Sequence, residues 1–227
     1  MSAFTVAIDG PVAAGKSTIG RLLAQRISAL FFDTGILYRA VAHSVLEQGV
    51  DPDDDKRVAD VASRFHAELR EAGGESRLIV SDRDITDELR SPAIDRALPA
   101  VSANPAVREH LLDTQRKIVR GRRAIVVGRD IGTVIFPDAD LKVYLDADPE
   151  IRATRRYEEL RDRGIEIDRE TVYRDLLARD ERDRGRALAP LQVAEDAVIV
   201  DASNRDVEAV IELIVELIAE RGGRCCT

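Results

Sequence analysis

Apolar residues fall in short continuous runs separated by longer stretches with helical spacing. Phe4-Thr5-Val6-Ala7-Ile8 is the first run, the pattern of a strand buried on both faces. Ile19, Leu22, Leu23 and Ile27 then recur at helical spacing, and Leu30-Phe31-Phe32 reads as a second short strand. A helix is predicted through Tyr38, Val41, Ala42 and Val45. Gly49 and the acidic run Asp51 to Asp55 end it, and that run reads as a solvated turn and the start of another helix. Between Phe65 and Thr86 the period shortens. Phe65 to Leu69 and Arg77 to Val80 flank Gly73-Gly74, a hairpin signal, and Asp84-Ile85-Thr86 could add a third strand. Helices resume near Ser91, punctuated by Pro92, Pro99 and Pro105, and Val107, Leu111, Leu112, Gln115 and Ile118 form an amphipathic stripe. Ala124 to Val127, Leu141 to Leu145 and Ala197 to Val200 are three more strand-like runs. Ser203 is the expected cap of a last helix carrying Val207, Val210, Ile211, Ile214, Leu217 and Ile218 on one face.

Strands alternating with helices predict an α/β fold: a five-stranded parallel sheet with helices on both faces, plus a small antiparallel insert. The expected organisation is a single domain over 1–227, with the insert at about 62–100 and a short arginine-rich lid at about 155–186. Ligands in such sheets sit at the carboxyl ends of the strands. Asp33, Gly128-Arg129-Asp130, Asp146 and Asp201 all fall at those ends.

The first strand runs directly into Gly10-Pro11-Val12-Ala13-Ala14-Gly15-Lys16-Ser17-Thr18, and a helical pattern follows. That is G-x-x-x-x-G-K-S between strand and helix, a phosphate-binding loop in its expected context. Its backbone N–H groups would wrap phosphate oxygens at the positive end of the helix. Lys16 would reach the β and γ phosphates, and the Ser17 hydroxyl would hold Mg²⁺. The expected ligand is therefore a nucleoside triphosphate. Ala13 and Ala14 occupy loop positions where glycine would take a positive φ without a Cβ penalty.

Composition narrows the partners. Hydrophobic residues make up 44% of the 227-residue chain and aromatics only 4%, so aliphatic side chains must build the core. A net charge of −8 argues against nonspecific binding to nucleic-acid backbones. Arginine heavily outnumbers lysine, which suits planar contacts with a small phosphorylated substrate. No apolar run reaches the roughly 18 residues of a membrane span, and no signal segment precedes the first strand. Cys225 and Cys226 are adjacent and suggest neither a zinc site nor a structural disulfide, and His43, His66 and His110 lack metal-ligand spacing. A cytoplasmic protein, monomeric by default, is expected.

The segment Ile151 to Arg186 is dense in charge and contains no lysine. Arg152, Arg155 and Arg156 share a helical face, and Arg179 to Arg186 forms a second cluster beyond Gly164. A solvated helix laced with ion pairs is one reading. A lid whose guanidinium groups close on a transferring phosphoryl while excluding water is the other.

Four motifs carry a resemblance to a known family. They are Ile8-Asp9-Gly10-Pro11, Asp33-Thr34-Gly35-Ile36-Leu37-Tyr38-Arg39, Gly128-Arg129-Asp130-Ile131-Gly132-Thr133-Val134-Ile135-Phe136-Pro137-Asp138 and Arg179-Asp180-Glu181-Arg182-Asp183-Arg184. On these the chain resembles the bacterial cytidylate kinases, P-loop nucleoside monophosphate kinases, from Val6 to about Asp201. The resemblance implies transfer of the γ-phosphoryl of ATP to CMP or dCMP, with Mg²⁺, and makes the inserted sheet part of the monophosphate-binding region. It implies that Thr34, Arg39 and Arg129 hold the CMP phosphate. Ser102, Arg108, Asp130 and Arg186 would read the base, Arg179 and Asp183 would meet the sugar, and Arg155 and Arg156 would lie near ATP. Lys16, Arg129, Asp130 and Arg179 would carry the catalysis. Ala13 departs from a position where the family often has glycine, and Gly185 from one where a polar residue is common. Rival readings are a kinase for UMP, AMP or shikimate, a nucleotide-operated switch, and a structural ATP-binding module. The switch lacks its usual Asp-x-x-Gly and Asn-Lys-x-Asp sequences, since Asn104 and Asn204 are the only asparagines.

Overall fold

The computed structural model describes residues 3–72 and 75–222. Gly73-Gly74, on which the hairpin reading turned, and Cys225-Cys226 lie outside the described residues. The chain divides into two compact units. One comprises the described residues up to Phe31 and from Gly121 onwards; the other is Phe32–Arg120.

The main sheet has five strands: β1 (Phe4–Asp9), β2 (Leu30–Asp33), β6 (Arg123–Val127), β7 (Leu141–Asp146) and β8 (Val198–Asp201), in the spatial order β2-β6-β1-β7-β8. The pairings of β1 with β6 and β7, and of β7 with β8, are parallel, with Val6 beside Ile125 and Leu141. Alternation decides the faces. Val6, Ile8, Ile125, Val127, Leu141, Val143, Leu145 and Val200 point into one core, with Ile19, Leu23 and Ala24 of α1 (Lys16–Arg26) and Val210, Ile211, Ile214 and Ile218 of α8 (Val207–Glu220). Ala7, Ala124 and Val126 on the opposite face are buried as well. Burial on both faces is why β1, β6 and β7 read as unbroken apolar runs, whereas β8 at the sheet edge leaves Ile199 exposed.

The predicted cap of α8 is corrected. Asp206, not Ser203, accepts the Ala209 N–H and starts the helix. Ser203 is instead tied to Asp201, donating its hydroxyl to that carboxylate, and it accepts the Asp148 N–H. Asp206 wins because an Asp side chain caps as well as Ser and lies next to the apolar stripe.

In the second unit, α2 (Gly35–Glu47) and α3 (Asp55–Ser63) precede a three-stranded antiparallel sheet of β3 (Ala67–Ala72), β4 (Glu75–Val80) and β5 (Arg83–Asp84). The third strand is shorter than the sequence suggested, because Thr86–Arg90 turns into a 3₁₀ helix. The first begins two residues late, because the Phe65 N–H still bonds to Ala62 at the end of α3. Asp54 caps α3, as the acidic run implied. Two proline-started helices follow: α4 (Pro92–Ala103), capped by Ser91, and α5 (Pro105–Val119), capped by Asn104. Val107, Leu111, Gln115 and Val119 form the buried stripe of α5.

Returning to the first unit, α6 (Pro149–Asp162) and α7 (Arg169–Arg184) are joined by a turn containing Gly164, whose φ is +73°. Both halves of the charged segment are thus regular helices. Many of its arginines do make ion pairs with neighbours, among them Arg156 with Glu159 and Arg163 with the same carboxylate.

Gly10 closes the end of β1 against β7. Its φ is +148°, and a Cβ there would lie 2.0 Å from the Leu145 carbonyl oxygen, which is backbone and cannot step aside. Gly10→Ala is expected to destabilise the protein by about 3 kcal/mol or more. Urea unfolding measures it, and an unchanged midpoint would show that the loop and β7 are not held this close.

Candidate active site

The loop between β1 and α1 is strained into shape. Gly10 and Gly15 have φ of +148° and +99°, and Ala13, between them, has +58°. Ala13 therefore does occupy a left-handed position, at the steric cost that glycine would avoid. Gly15 supplies no side chain to cap α1, which leaves the amide-rich start of the helix facing the loop. Lys16 is buried, and its Nζ donates to the Pro11 carbonyl at 2.6 Å, which curls the ammonium over the loop.

Asp9, the residue before Gly10, organises the next segment. Its two carboxylate oxygens accept the Ile131 N–H at 2.8 Å and the Gly132 N–H at 2.7 Å. These are the first two residues of a π-helical turn, Ile131–Ile135, and Asp130 immediately precedes it. The clamp therefore fixes Gly128-Arg129-Asp130 at the carboxyl edge of β6. Gly132 sits in a crowded spot: a Cβ would lie 3.0 Å from the Lys142 side chain and 3.4 Å from Asp9, so a neighbour would have to shift by a few tenths of an ångström. Burial pushes the Asp9 carboxyl up to about 6. The two amide bonds and Lys16 oppose that rise, and the nearby Asp130 adds to it.

A carboxyl raised from 3.8 to about 6 in the folded state binds its proton more tightly than in the unfolded chain. Its contribution to stability is fullest at low pH and is lost as pH rises from about 4 through 6, by about 3 kcal/mol. Asp9→Asn removes the titration but turns an amide NH₂ toward one backbone N–H. The stability of wild type relative to Asp9→Asn should therefore fall as pH rises from 4 to 7. Urea unfolding at each pH measures it, and a difference independent of pH would contradict the assignment.

On the α7 side, Asp183 is a buried carboxylate between two guanidinium groups. Arg129 Nε donates to it at 2.9 Å, and Arg186 forms a second ion pair with its other oxygen. Burial pushes the Asp183 carboxyl up, but Arg129, Arg186 and Arg179 together outweigh it and hold the group below the usual range. Asp183 is thus ionised at neutral pH and orients Arg129 and Arg186. Arg155 donates to the Ala202 carbonyl at 2.7 Å, and Arg156 pairs with Glu159.

In the second unit, Thr34 is buried at the start of α2, and Asp33 accepts the Gly35 N–H. Arg39 donates to the Leu89 carbonyl and pairs with Asp95 at 2.8 Å. Arg108 donates to the Ser102 carbonyl at 3.1 Å, and its guanidinium lies 5.4 Å from the centre of the Tyr38 ring, a cation–π stack. Ser102, Arg108 and Tyr38 thus form one cluster across α2, α4 and α5.

The cytidylate kinase family profile matches residues 6–220. The chain belongs to the cytidylate kinase family. A cytidylate kinase of Pelotomaculum thermopropionicum is 43% identical over 94% of this chain and 95% of its own length. One from Geobacter sulfurreducens is 41% identical over 95% of this chain and 93% of its own. Among solved structures, an uncharacterised protein from Eubacterium ventriosum superposes with a TM-score of 0.54 at 12% identity, covering 95% of this chain and 98% of its own. That likeness speaks to the fold alone.

With the family established, three features of the site stand out as unforeseen in the sequence. Asp9 had a signal, a carboxylate at a strand's carboxyl end directly before the loop. Tyr38 as the platform for Arg108 had none, since the two are far apart in sequence. The buried pair of Arg152 and Asp180, 2.7 Å apart, was hidden in the charge run. Its trace is the buried face of α7, where Val172, Leu176, Asp180 and Asp183 follow one another at helical spacing. Among the described residues no helix is long and apolar enough to cross a membrane.

Proposed function

We propose that this chain transfers the γ-phosphoryl of ATP to CMP or dCMP, giving ADP and CDP or dCDP. A phosphate oxygen of the monophosphate attacks the γ phosphorus, and the bond to the β,γ-bridging oxygen breaks to release ADP. The observation that carries the reading is the buried Lys16 ammonium, held by Pro11 inside a loop whose strained backbone opens onto the start of α1. Gly10 to Thr18 cradle the triphosphate, and Arg155 and Arg156 lie toward the rest of the donor. Ser17 offers a hard hydroxyl oxygen, which would suit Mg²⁺. When bound, Mg²⁺ would offset charge on the β and γ oxygens.

For the acceptor, Thr34, Arg39 and Arg129 hold the phosphate, while Ser102, Arg108, Asp130 and Arg186 read the cytosine. Arg179 and Asp183 meet the sugar. Two arrangements support this. Arg108 is already oriented by Ser102 and Tyr38, and ionised Asp183 already aims Arg129 and Arg186. Phosphoryl transfer depends on alignment and neutralised charge, which arginines fixed in this way supply. The insert at about 62–100 serves the monophosphate, the segment at about 155–186 closes as a lid, and the enzyme is a cytoplasmic monomer with no nucleic-acid or membrane partner.

A coupled assay of ADP formation with CMP, dCMP, UMP, AMP and shikimate in turn tests the acceptor. CMP and dCMP should be the best substrates. Preferred turnover of any of the other three would reassign the enzyme to that acceptor.

A further inference from the structure

We propose that the buried Arg152–Asp180 pair is a positioning device for the phosphate loop, gripping it at Val12 and so setting the affinity for the donor. The proposal rests on reading that loop as the ATP site. Both residues are only 2% exposed. Arg152 Nη1 lies 2.7 Å from Asp180 Oδ2, and it also donates to the Val12 carbonyl at 3.1 Å. Its Nε donates to the Ala147 carbonyl at 2.8 Å, which anchors the guanidinium to the end of β7. From the other side, the Val12 N–H points to Asp180 Oδ1 at 3.4 Å. One ion pair thus addresses both polar groups of a single loop residue, and joins it to α6 and α7.

Chemistry separates this role from simple stabilisation. A buried ion pair adds little net stability over an apolar pair of similar volume, because desolvation cancels much of the attraction. An apolar pair cannot, however, accept from the Val12 N–H or donate to its carbonyl. The loop also needs an external hold. Between Gly10 and Gly15, Ala13 has a φ of +58°, a conformation that a residue with a Cβ keeps only where its surroundings enforce it. Val12 lies within that strained stretch, and its N–H and carbonyl are the groups the pair reaches. If Val12 swings free, the amides that follow it no longer converge on one anion.

The test uses the full chain. Arg152→Met with Asp180→Leu replaces the pair by apolar side chains, and Asp180→Asn removes the charge but keeps the shape. Arg152→Lys keeps the charge but cannot span Val12, Ala147 and Asp180 together. Thermal unfolding reports folding, and equilibrium titration with a fluorescent ATP analogue and with CMP reports each affinity. The expected result is a folded double variant whose Kd for the analogue rises tenfold or more, while that for CMP shifts less than threefold. Arg152→Lys should move in the same direction. A folded double variant or Asp180→Asn that binds the analogue within twofold of wild type would overturn the proposal. Failure of all three variants to fold would also overturn it, making the pair a structural bridge. If wild type itself did not bind the analogue, the donor-site reading would fall instead. Amide exchange over residues 10–15 would then still test the grip, with exchange at least tenfold faster expected in the double variant and unchanged exchange refuting it.

Discussion

Lys16→Ala should lower kcat/KM for ATP by roughly 10³-fold, about 4 kcal/mol of transition-state stabilisation, and leave the fold intact. The ammonium is buried at the start of α1 and bonded to the Pro11 carbonyl. On the proposed reading, its removal takes away the cation that would meet the transferring phosphoryl. The loop backbone and arginines remain, so residual phosphoryl transfer above background is expected. Lys16→Arg should not rescue. A planar guanidinium is wider than an ammonium and cannot curl back onto Pro11 in the same space. Steady-state kinetics beside a melting curve decide this, and a folded Lys16→Ala with more than a tenth of wild-type kcat/KM would contradict the role assigned to the loop.

The second large effect concerns the acceptor base. Cytosine offers an amino donor at N4 and acceptors at N3 and O2; uracil reverses the polarity at positions 4 and 3. Asp130 is buried, and the Asp9 clamp on Ile131 and Gly132 fixes the backbone that carries it. A site built on such hydrogen bonds rejects the mispaired analogue strongly, because its own buried groups are then left without partners. CMP should exceed UMP by at least about 10²-fold in kcat/KM. Asp130→Asn presents both a donor and an acceptor, so the ratio should fall below about tenfold, chiefly through loss of CMP turnover. Paired measurements with both nucleotides check this. A variant that keeps the wild-type ratio would remove Asp130 from base reading.

The chain itself made much of this architecture legible. Strands buried on both faces give apolar runs such as Ala124 to Val127, and those runs located the core strands of the main sheet to within a residue or two. The phosphate loop was readable because its glycines answer backbone demands: Gly10 faces the Leu145 carbonyl, and Gly15 opens α1 in a left-handed conformation. What escaped were interactions between residues distant in sequence whose types are common. Arg152 and Asp180 look like any other members of a charged helix, because burial of a paired charge leaves no mark on local pattern. Ser203 misled because it is a good cap three residues too early. Asp9 was visible only as part of a motif, and its work of holding Ile131 and Gly132 emerged once β1 and the π-helical turn were side by side.

On the proposed function, this loop delivers the terminal phosphoryl of ATP to a cytidine monophosphate. Incubation of the purified protein with γ-³²P-labelled ATP, Mg²⁺ and CMP, followed by separation of the nucleotides, tests it directly. The label is expected in CDP, with an equal amount of unlabelled ADP and little free phosphate. Label released only as inorganic phosphate, or retained in ATP while CMP remains unchanged, would contradict it.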